Sequence, residues 1–310
     1  MTCPKVTVAV CTYARPASLR MAIDSLLAQT FPKRDFEILV VDNTAAPGGL
    51  AELQTRYPSS DLFTWCHEPV PGLSRARNLA VRMARGEILA FIDDDARVRS
   101  DWLTAMVNAF EAFGPRAEAV GGRVELIWTR PRPTWLHDDL LGFLSMVNWG
   151  GTRRTVQRDE WIAGTNMAFR TAALRTTNGF SEGLGRRGGG ALLSNEEQEL
   201  LDRIRGRGGW VAYAPEMCVD HTVGSERLTQ PWFRKRAAWQ AISDYMCDGD
   251  ALDRDLPTHW SRLAQFSRSI GERDTLVALH RAVEDAALFR DQLYAIYDLT
   301  ILSLAGFKSS

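Results

Sequence analysis

With 310 residues, 45% of them hydrophobic and 24% charged, the chain is long enough for one large core or two modest ones. Its formal net charge of −1 lacks the basic excess of a nucleic-acid binder, so no nucleic-acid partner is expected. The five cysteines (Cys3, Cys11, Cys66, Cys218, Cys247) are widely spaced without a CxxC, which argues against a disulfide frame or zinc site and fits reduced thiols in a cytoplasmic protein.

The lysines are Lys5, Lys33, Lys235 and Lys308, and arginine supplies the rest of the basic residues. Arginine suits phosphate and carboxylate recognition, although most surface arginine is simply solvated. The N-terminus, MTCPKVTVAVCTYARP, reads as a first strand rather than a signal peptide. SLRMAIDSLLAQT has helical spacing, with Leu19, Ile23, Leu26 and Leu27 on one face. FEILVVDNT is a continuous apolar run, as in a strand covered on both sides. LSRARNLAVRMARG predicts a helix ended by Gly86, and EILAFIDDD a second buried strand ending in acid. This β-α-β alternation predicts an α/β fold with a parallel, doubly wound sheet, whose ligands sit beyond the carboxyl ends of the strands. Those ends carry Thr12-Tyr13, Asp42-Asn43 and Asp93-Asp94-Asp95.

From about Arg123 to Glu160 the rhythm is lost among prolines, charges and tryptophans. It returns with EWIAGTNMAFRTAAL, a glycine-dense loop over 183–190, the helix NEEQELLDRIRGRG and the strand WVAYAPEMCVDH. From about Glu226 the chain reads as helical. The expected division is an α/β catalytic domain over 1–225, in two parts that meet at about 122, followed by a helical extension over 226–310.

FIDDDARV is the most informative stretch. Strand alternation puts Asp93 and Asp95 on one side and Asp94 on the other. Adjacent carboxylates at the rim of a core repel one another unless a cation or strong donors meet them, and a divalent ion with oxygen ligands is the simple solution. A solvated acidic turn is the competing reading. In Asn195-Glu196-Glu197-Gln198-Glu199, Ser194-x-x-Glu197 has the form of a capping box, and the same helix start is also a place to hold a general base. His221, a neutral hydrogen-bonding group by default, becomes a nitrogen ligand if its strand end lies near Asp95. An imidazole among carboxylates favours manganese somewhat over magnesium.

In this order, VAVCTYARP, VVDNT, PGLSRARNLA, FIDDD, AGTNMAFR with a later NGF, NEEQELLDRIRGRG and APEMCVDH resemble a family 2 glycosyltransferase of the GT-A fold over roughly residues 5 to 225. The resemblance implies an inverting, non-processive enzyme that moves a sugar from a nucleotide-sugar donor, a UDP-sugar foremost, to a carbohydrate or lipid-linked acceptor. It implies Thr12, Tyr13 and Arg15 against the nucleotide base, Asp42 on base or ribose, and Arg77 and Asn78 lining the donor pocket. It further implies Asp93 and Asp94 near the donor, and Asp95, Asp93 and His221 on a Mn2+ or Mg2+ ion. Glu197 is implied as the base, with Glu196 as the alternative, because the family's acidic pair is usually Glu-Asp. The QxxRW element of processive synthases is absent.

Trp128, Trp135, Trp149 and Trp161 are candidates to touch an acceptor, and equally candidates for core. The 183–190 loop, with Arg186 and Arg187, is a candidate lid. A retaining transferase, a sugar nucleotidyltransferase and a non-catalytic binder are the alternatives, although CTYARPASLR lacks the glycines of a triphosphate loop. In the extension, Leu276, Val277, Leu279, Val283, Leu288, Leu293, Ile296, Leu299, Ile301 and Leu302 predict helices packed on the rest of the protein. Peripheral contact with the inner membrane face, helped by Arg234, Lys235 and Arg236, is the rival. Asp285, Asp291 and Asp298 oppose it.

Overall fold

The computed structural model describes residues 3–187, 190–271 and 275–308. The chain divides into two compact units: residues 1–127, 145–188 and 196–222, and residues 128–144, 189–195 and 223–310. The segment 128–144 and the loop 189–195 thus belong with the C-terminal helices.

In the first unit, β1 (Val6–Thr12), α1 (Pro16–Leu27), β2 (Phe36–Asp42), α2 (Ala51–Arg56), β3 (Phe63–His67), α3 (Leu73–Met83) and β4 (Ile88–Asp93) alternate in chain order. They are followed by β5 (Ala96–Val98), α4 (Trp102–Phe113), β6 (Ala117–Trp128), β7 (Arg154–Thr155), β8 (Met167–Arg170), α5 (Thr171–Thr176), α6 (Glu196–Gly206) and β9 (Trp210–Val223). Among the described residues these strands form one nine-stranded sheet, ordered β3-β2-β1-β4-β8-β6-β9-β5, with β7 on β9.

The expectation of a parallel sheet holds for half of it. β1, β2, β3 and β4 pair in parallel, whereas β4–β8, β6–β8, β5–β9 and β7–β9 are antiparallel. β8, inserted between β4 and β6, is reached from β6 through residues 129–166, which hold no α-helix to carry a parallel crossover.

Alternation within the strands explains the two layers. Val6, Val8 and Val10 of β1, Ile38 and Val40 of β2, and Ile88, Ala90 and Ile92 of β4 pack with Leu19, Ile23 and Leu26 of α1 and with Trp102, Met106 and Phe110 of α4. The opposite residues, Ala9, Leu39, Val41, Leu89 and Phe91, pack with Ala76 and Ala80 of α3 and Leu200, Leu201 and Ile204 of α6. Two glycines mark backbone approaches too close for a side chain. A Cβ on Gly122 of β6 would stand 1.7 Å from the Met217 carbonyl oxygen of β9, and one on Gly86 would stand 2.4 Å from the Thr7 nitrogen. Gly86 is therefore a packing residue at the entry to β4, and α3 ends earlier, at Met83. The capping box is also absent. α6 begins at Glu196 after Asn195 in a left-handed conformation (φ 72°), and the Ser194 hydroxyl is directed to Asn195 and Gln240.

The second unit contains α7 (Gln230–Arg254), α8 (Leu256–Ile270), α9 (Thr275–His280) and α10 (Ala286–Lys308). α7 is kinked at Asp248, and α8 ends on left-handed Gly271. Trp135, one of the acceptor candidates, packs edge-on against Phe233 and Phe289 within this unit. Leu279, Leu293 and Ile301 are buried as expected, but Leu276 and Val277 are 61% and 60% exposed. Arg234 and Arg236 are buried too, leaving Lys235 as the exposed member of that basic triplet. Asp298, expected to repel an anionic surface, is instead buried in a cluster with His259 and Arg262. No helix among the described residues is long and apolar enough to cross a membrane.

Candidate active site

The carboxyl ends of β1 and β4 and one position of β9 bring the first group together. Asp93 closes β4, the chain turns at Asp94 and Asp95, and β5 then pairs with β9 so that Ala96 lies opposite His221. One ligand atom from each of Asp93, Asp95 and His221 lies within 4.8 Å of the others. His221 Nε2 is 3.2 Å from Asp95 Oδ1. Two carboxylates and an imidazole are a donor set that a hard or borderline divalent cation accepts, so these residues fit such an ion. Burial, followed by the neighbouring Asp95 charge, pushes Asp93 up from the ordinary carboxylate range, while Arg77 and His221 pull it down.

Asp94 faces the other way and is buried. The Thr12 hydroxyl donates to it at 2.6 Å, and Arg15 reaches both Asp94 (3.3 Å) and Asp95 (3.0 Å). Burial raises Asp94 to about 6 despite these partners. Asp94, Thr12 and Arg15 therefore brace the turn. Tyr13 is half exposed beside them. Asp42, at the end of β2, accepts from the Thr44 nitrogen and hydroxyl. Cys11 lies next to Asp93, and burial pushes its thiol up to about 12, which favours the protonated form.

The second group centres on Arg77 of α3. It is buried, with Nη1 2.8 Å from Glu196 Oε1 and Nη2 3.9 Å from Asp93, and its guanidinium lies against the rings of Phe91 and Phe180. Burial, then the charge of Glu197, raises Glu196 to about 8, with Arg77 opposing. Glu196 is thus the buried partner of Arg77 through Oε1, whereas Glu197 is half-buried, and the Oε2 atoms of both have no hydrogen-bond partner among the described residues.

Sequence reasoning missed the residue that seats these two side chains. A Cβ on Gly164 would lie 2.4 Å from Arg77 Nη2 and 3.0 Å from Glu197 Oε1. The glycine of AGTN is the available signal for this close approach. Asn166 of the same motif is fully buried, donates to the Arg123 and Met217 carbonyls and accepts from Trp102. Asn78 has its carboxamide on the main-chain nitrogen and oxygen of Phe180, in space that Gly179 leaves open. It ties down the NGF turn. Asn43 was also missed. It accepts from Gly72 and donates to the carbonyls of Glu68 and Val70, fixing the chain before α3.

Of the remaining candidates, Trp149 and Trp161 form an edge-to-face pair with Trp161 partly exposed. In the candidate lid the Arg186 carbonyl accepts from Leu73, Arg187 donates to the Glu182 carbonyl, and Gly188 and Gly189 lie outside the described residues. A further group, Glu125, Cys218 and Asp220, sits on the opposite face of β9 from His221, with Arg99 2.7 Å from Glu125 and 3.7 Å from Asp220.

Comparison with known proteins bears on this arrangement. The glycosyl transferase family 2 profile matches residues 7–176. A glucosyl-dolichyl phosphate glucuronosyltransferase of Haloferax volcanii is 27% identical over 248 residues, covering 79% of this chain and 77% of the relative. The succinoglycan biosynthesis protein ExoM of Rhizobium meliloti is 30% identical over 234 residues, covering 74% of this chain and 71% of the relative. A mannosyltransferase of Pyrobaculum calidifontis, solved with GDP-Man and Mn2+, superposes with a TM-score of 0.57 over 99% of this chain and 76% of its own, at 18% identity, which is likeness of fold. The chain belongs to glycosyl transferase family 2 and is a glycosyltransferase with the GT-A fold.

Proposed function

We propose that the protein transfers a sugar from a nucleoside-diphosphate sugar, a UDP-sugar foremost, to an acceptor hydroxyl with inversion, using a divalent cation, Mn2+ or Mg2+, held by Asp93, Asp95 and His221. The observation that carries this reading is the convergence of those three side chains at the carboxyl end of β4, with Arg77 linking Asp93 to the acidic pair. When bound there, such an ion neutralises the charge that grows on a departing diphosphate. The protein's own residues do the rest. Thr12, Tyr13, Arg15 and Asp42 line the ends of β1 and β2 for the nucleoside, and Arg77 adds a fixed positive charge beside Asp93.

Glu197 is the general base. The commitment of Glu196 Oε1 to Arg77 supports this, as does the greater exposure of Glu197. It takes the proton of the acceptor hydroxyl as that oxygen attacks the anomeric carbon from the face opposite the leaving nucleotide, which inverts the centre. The acceptor is a carbohydrate or a lipid-linked saccharide, and the name of the H. volcanii relative supports the latter. Peripheral contact with a membrane would bring such an acceptor within reach.

The test is a screen of UDP- and GDP-sugars for transfer with Mn2+, Mg2+ or EDTA. Activity is expected with a cation and none with EDTA, and Glu197→Gln should lower kcat by roughly 10²–10⁴ while nucleotide binding persists. Full activity in EDTA, or retention of the anomeric configuration by product NMR, overturns the respective part.

A further inference from the structure

Residues 148–164 of the first unit contain no regular element except the short β7, yet side chains tie this segment down. Arg154 of β7 donates from Nε and Nη2 to the Trp149 carbonyl at 3.3 and 3.2 Å, and from Nη1 to Glu160 Oε2 at 2.7 Å. Its Nη2 also reaches Glu160 Oε1. The Gln157 nitrogen donates to Glu160 Oε2 at 2.9 Å. Arg154 and Thr155 pair with Tyr213 and Ala212, which fixes β7 on β9. Beyond Trp161, Ile162 is fully buried, and a Cβ on Gly121 of β6 would stand 2.2 Å from its Cγ2.

This frame holds out a pair of indoles. Trp149 and Trp161 meet edge to face, with centroids 4.8 Å apart and planes at 89°. Trp149 Nε1 donates to the Trp161 carbonyl at 2.8 Å, so one ring pins the main chain that carries the other. Trp149 packs on the core, whereas Trp161 keeps 37% of its surface exposed between the held residues Glu160 and Ile162. Single exposed aromatics are common, but this one is fixed close to the acidic pair. Gly164, three residues on, is the close approach to Arg77 and Glu197 described above. Three residues span at most about 11 Å, which brings Trp161 within reach of the second ring of a saccharide whose first ring meets Glu197. The charges along this segment are paired, Arg154 with Glu160 and Arg153 with Glu216, so the surface suits a neutral ring better than a phosphate or a uronate. The C–H bonds on one face of a pyranose carry partial positive charge and meet the negative face of an indole.

We propose that Trp161, backed by Trp149, is a sugar-binding platform of the acceptor site. The acceptor is then a neutral saccharide of at least two units, and the ring next to the reacting one stacks on this indole. The proposal rests on the reading of Glu197 as the base, which sets where the reacting ring lies.

The experiment titrates the full chain with glucose, cellobiose, maltose and lactose, with and without UDP and Mn2+, and follows binding by saturation-transfer NMR. The parent is compared with Trp161→Leu, Trp161→Phe and Glu197→Gln. Trp161→Leu keeps apolar bulk against Trp149 but offers no π face, and a thermal melt checks that it folds. At least one disaccharide should bind the parent about ten-fold more tightly than glucose does. Trp161→Leu should lose that advantage and Trp161→Phe should keep most of it, while UDP binding stays as in the parent. If no disaccharide surpasses glucose, or Trp161→Leu binds it as the parent does, the platform is overturned. Glu197→Gln should bind the disaccharide normally and transfer sugar at least about 10²-fold more slowly. If it transfers as fast as the parent, the base reading falls, and the platform is still decided by the Trp161 titrations.

Discussion

Arg77 Nη1 stands 2.8 Å from Glu196 Oε1, and both side chains are almost sealed from solvent. Replacing Arg77 by alanine removes the cation that holds the raised Glu196 carboxyl down, at a cost that grows toward about 3–5 kcal/mol only as pH rises through about 8 and Glu196 ionises. A proton on Glu196 relieves part of that cost, so the loss should shrink as pH falls from 8 to about 5. Arg77→Lys keeps a charge but lacks the planar fork that reaches both Glu196 and Asp93, and should fall between. Urea unfolding of the three proteins at both pH values checks this, and an Arg77→Ala protein as stable as the parent at pH 8 refutes it.

The raised Glu196 carboxyl makes its own prediction about pH. Its folded value of about 8 lies above the ordinary 4.5, so the folded state binds this proton more tightly than the unfolded chain does. The stabilisation is complete below about 4.5 and is lost as pH rises through about 8. Glu196→Gln carries no titrating proton, so it should flatten this part of the Tm profile, most visibly between pH 5 and about 8. A profile identical in slope to that of the parent would show that Glu196 does not hold the proton.

Gly164→Ala should separate catalysis from stability. The added methyl meets the guanidinium of Arg77 at 2.4 Å and the Glu197 carboxylate at 3.0 Å, and both are ends of long side chains that can move. Their displacement should cost about 1–3 kcal/mol in folding and about ten-fold or more in kcat. Steady-state kinetics beside a thermal melt decides it, and an unaltered kcat would mean that these positions tolerate the shift.

Much of the first unit was legible because its strands are buried on both faces and its helices carry single apolar stripes. β1, α1, β2 and β4 follow directly from that pattern. The mixed character of the sheet was not legible, because β5 is three residues long and β8 four, too short for periodicity to register. At the site, the acids and His221 could be named from strand ends and resemblance. The roles of Asn43, Asn78 and Gly164 could not, since each depends on a partner distant in sequence. In the C-terminal helices, composition correctly gave helix but misjudged Asp298 and Arg234, whose side chains are bonded inside the unit, Asp298 to His259 and Arg262 and Arg234 to the amide oxygens of Gln230 and Gln292.

The pairing of β5 with β9 has a consequence for how this chain tolerates change. His221 faces Asp95 because Ala96 is aligned with it, while its neighbour Asp220 turns to the far side of the sheet toward Arg99. A slip of one residue in that alignment would exchange the two faces, delivering an acid or a threonine where the imidazole now stands. A single-residue insertion or deletion in β9 ahead of His221 is thus a parity error: the strand survives it, but every side chain beyond it is read out on the wrong side. Lengthening the loop between α4 and β6 leaves the parity intact. Divergence in length should therefore collect in such loops and avoid the strand itself, a constraint written in hydrogen-bond alignment rather than in any motif.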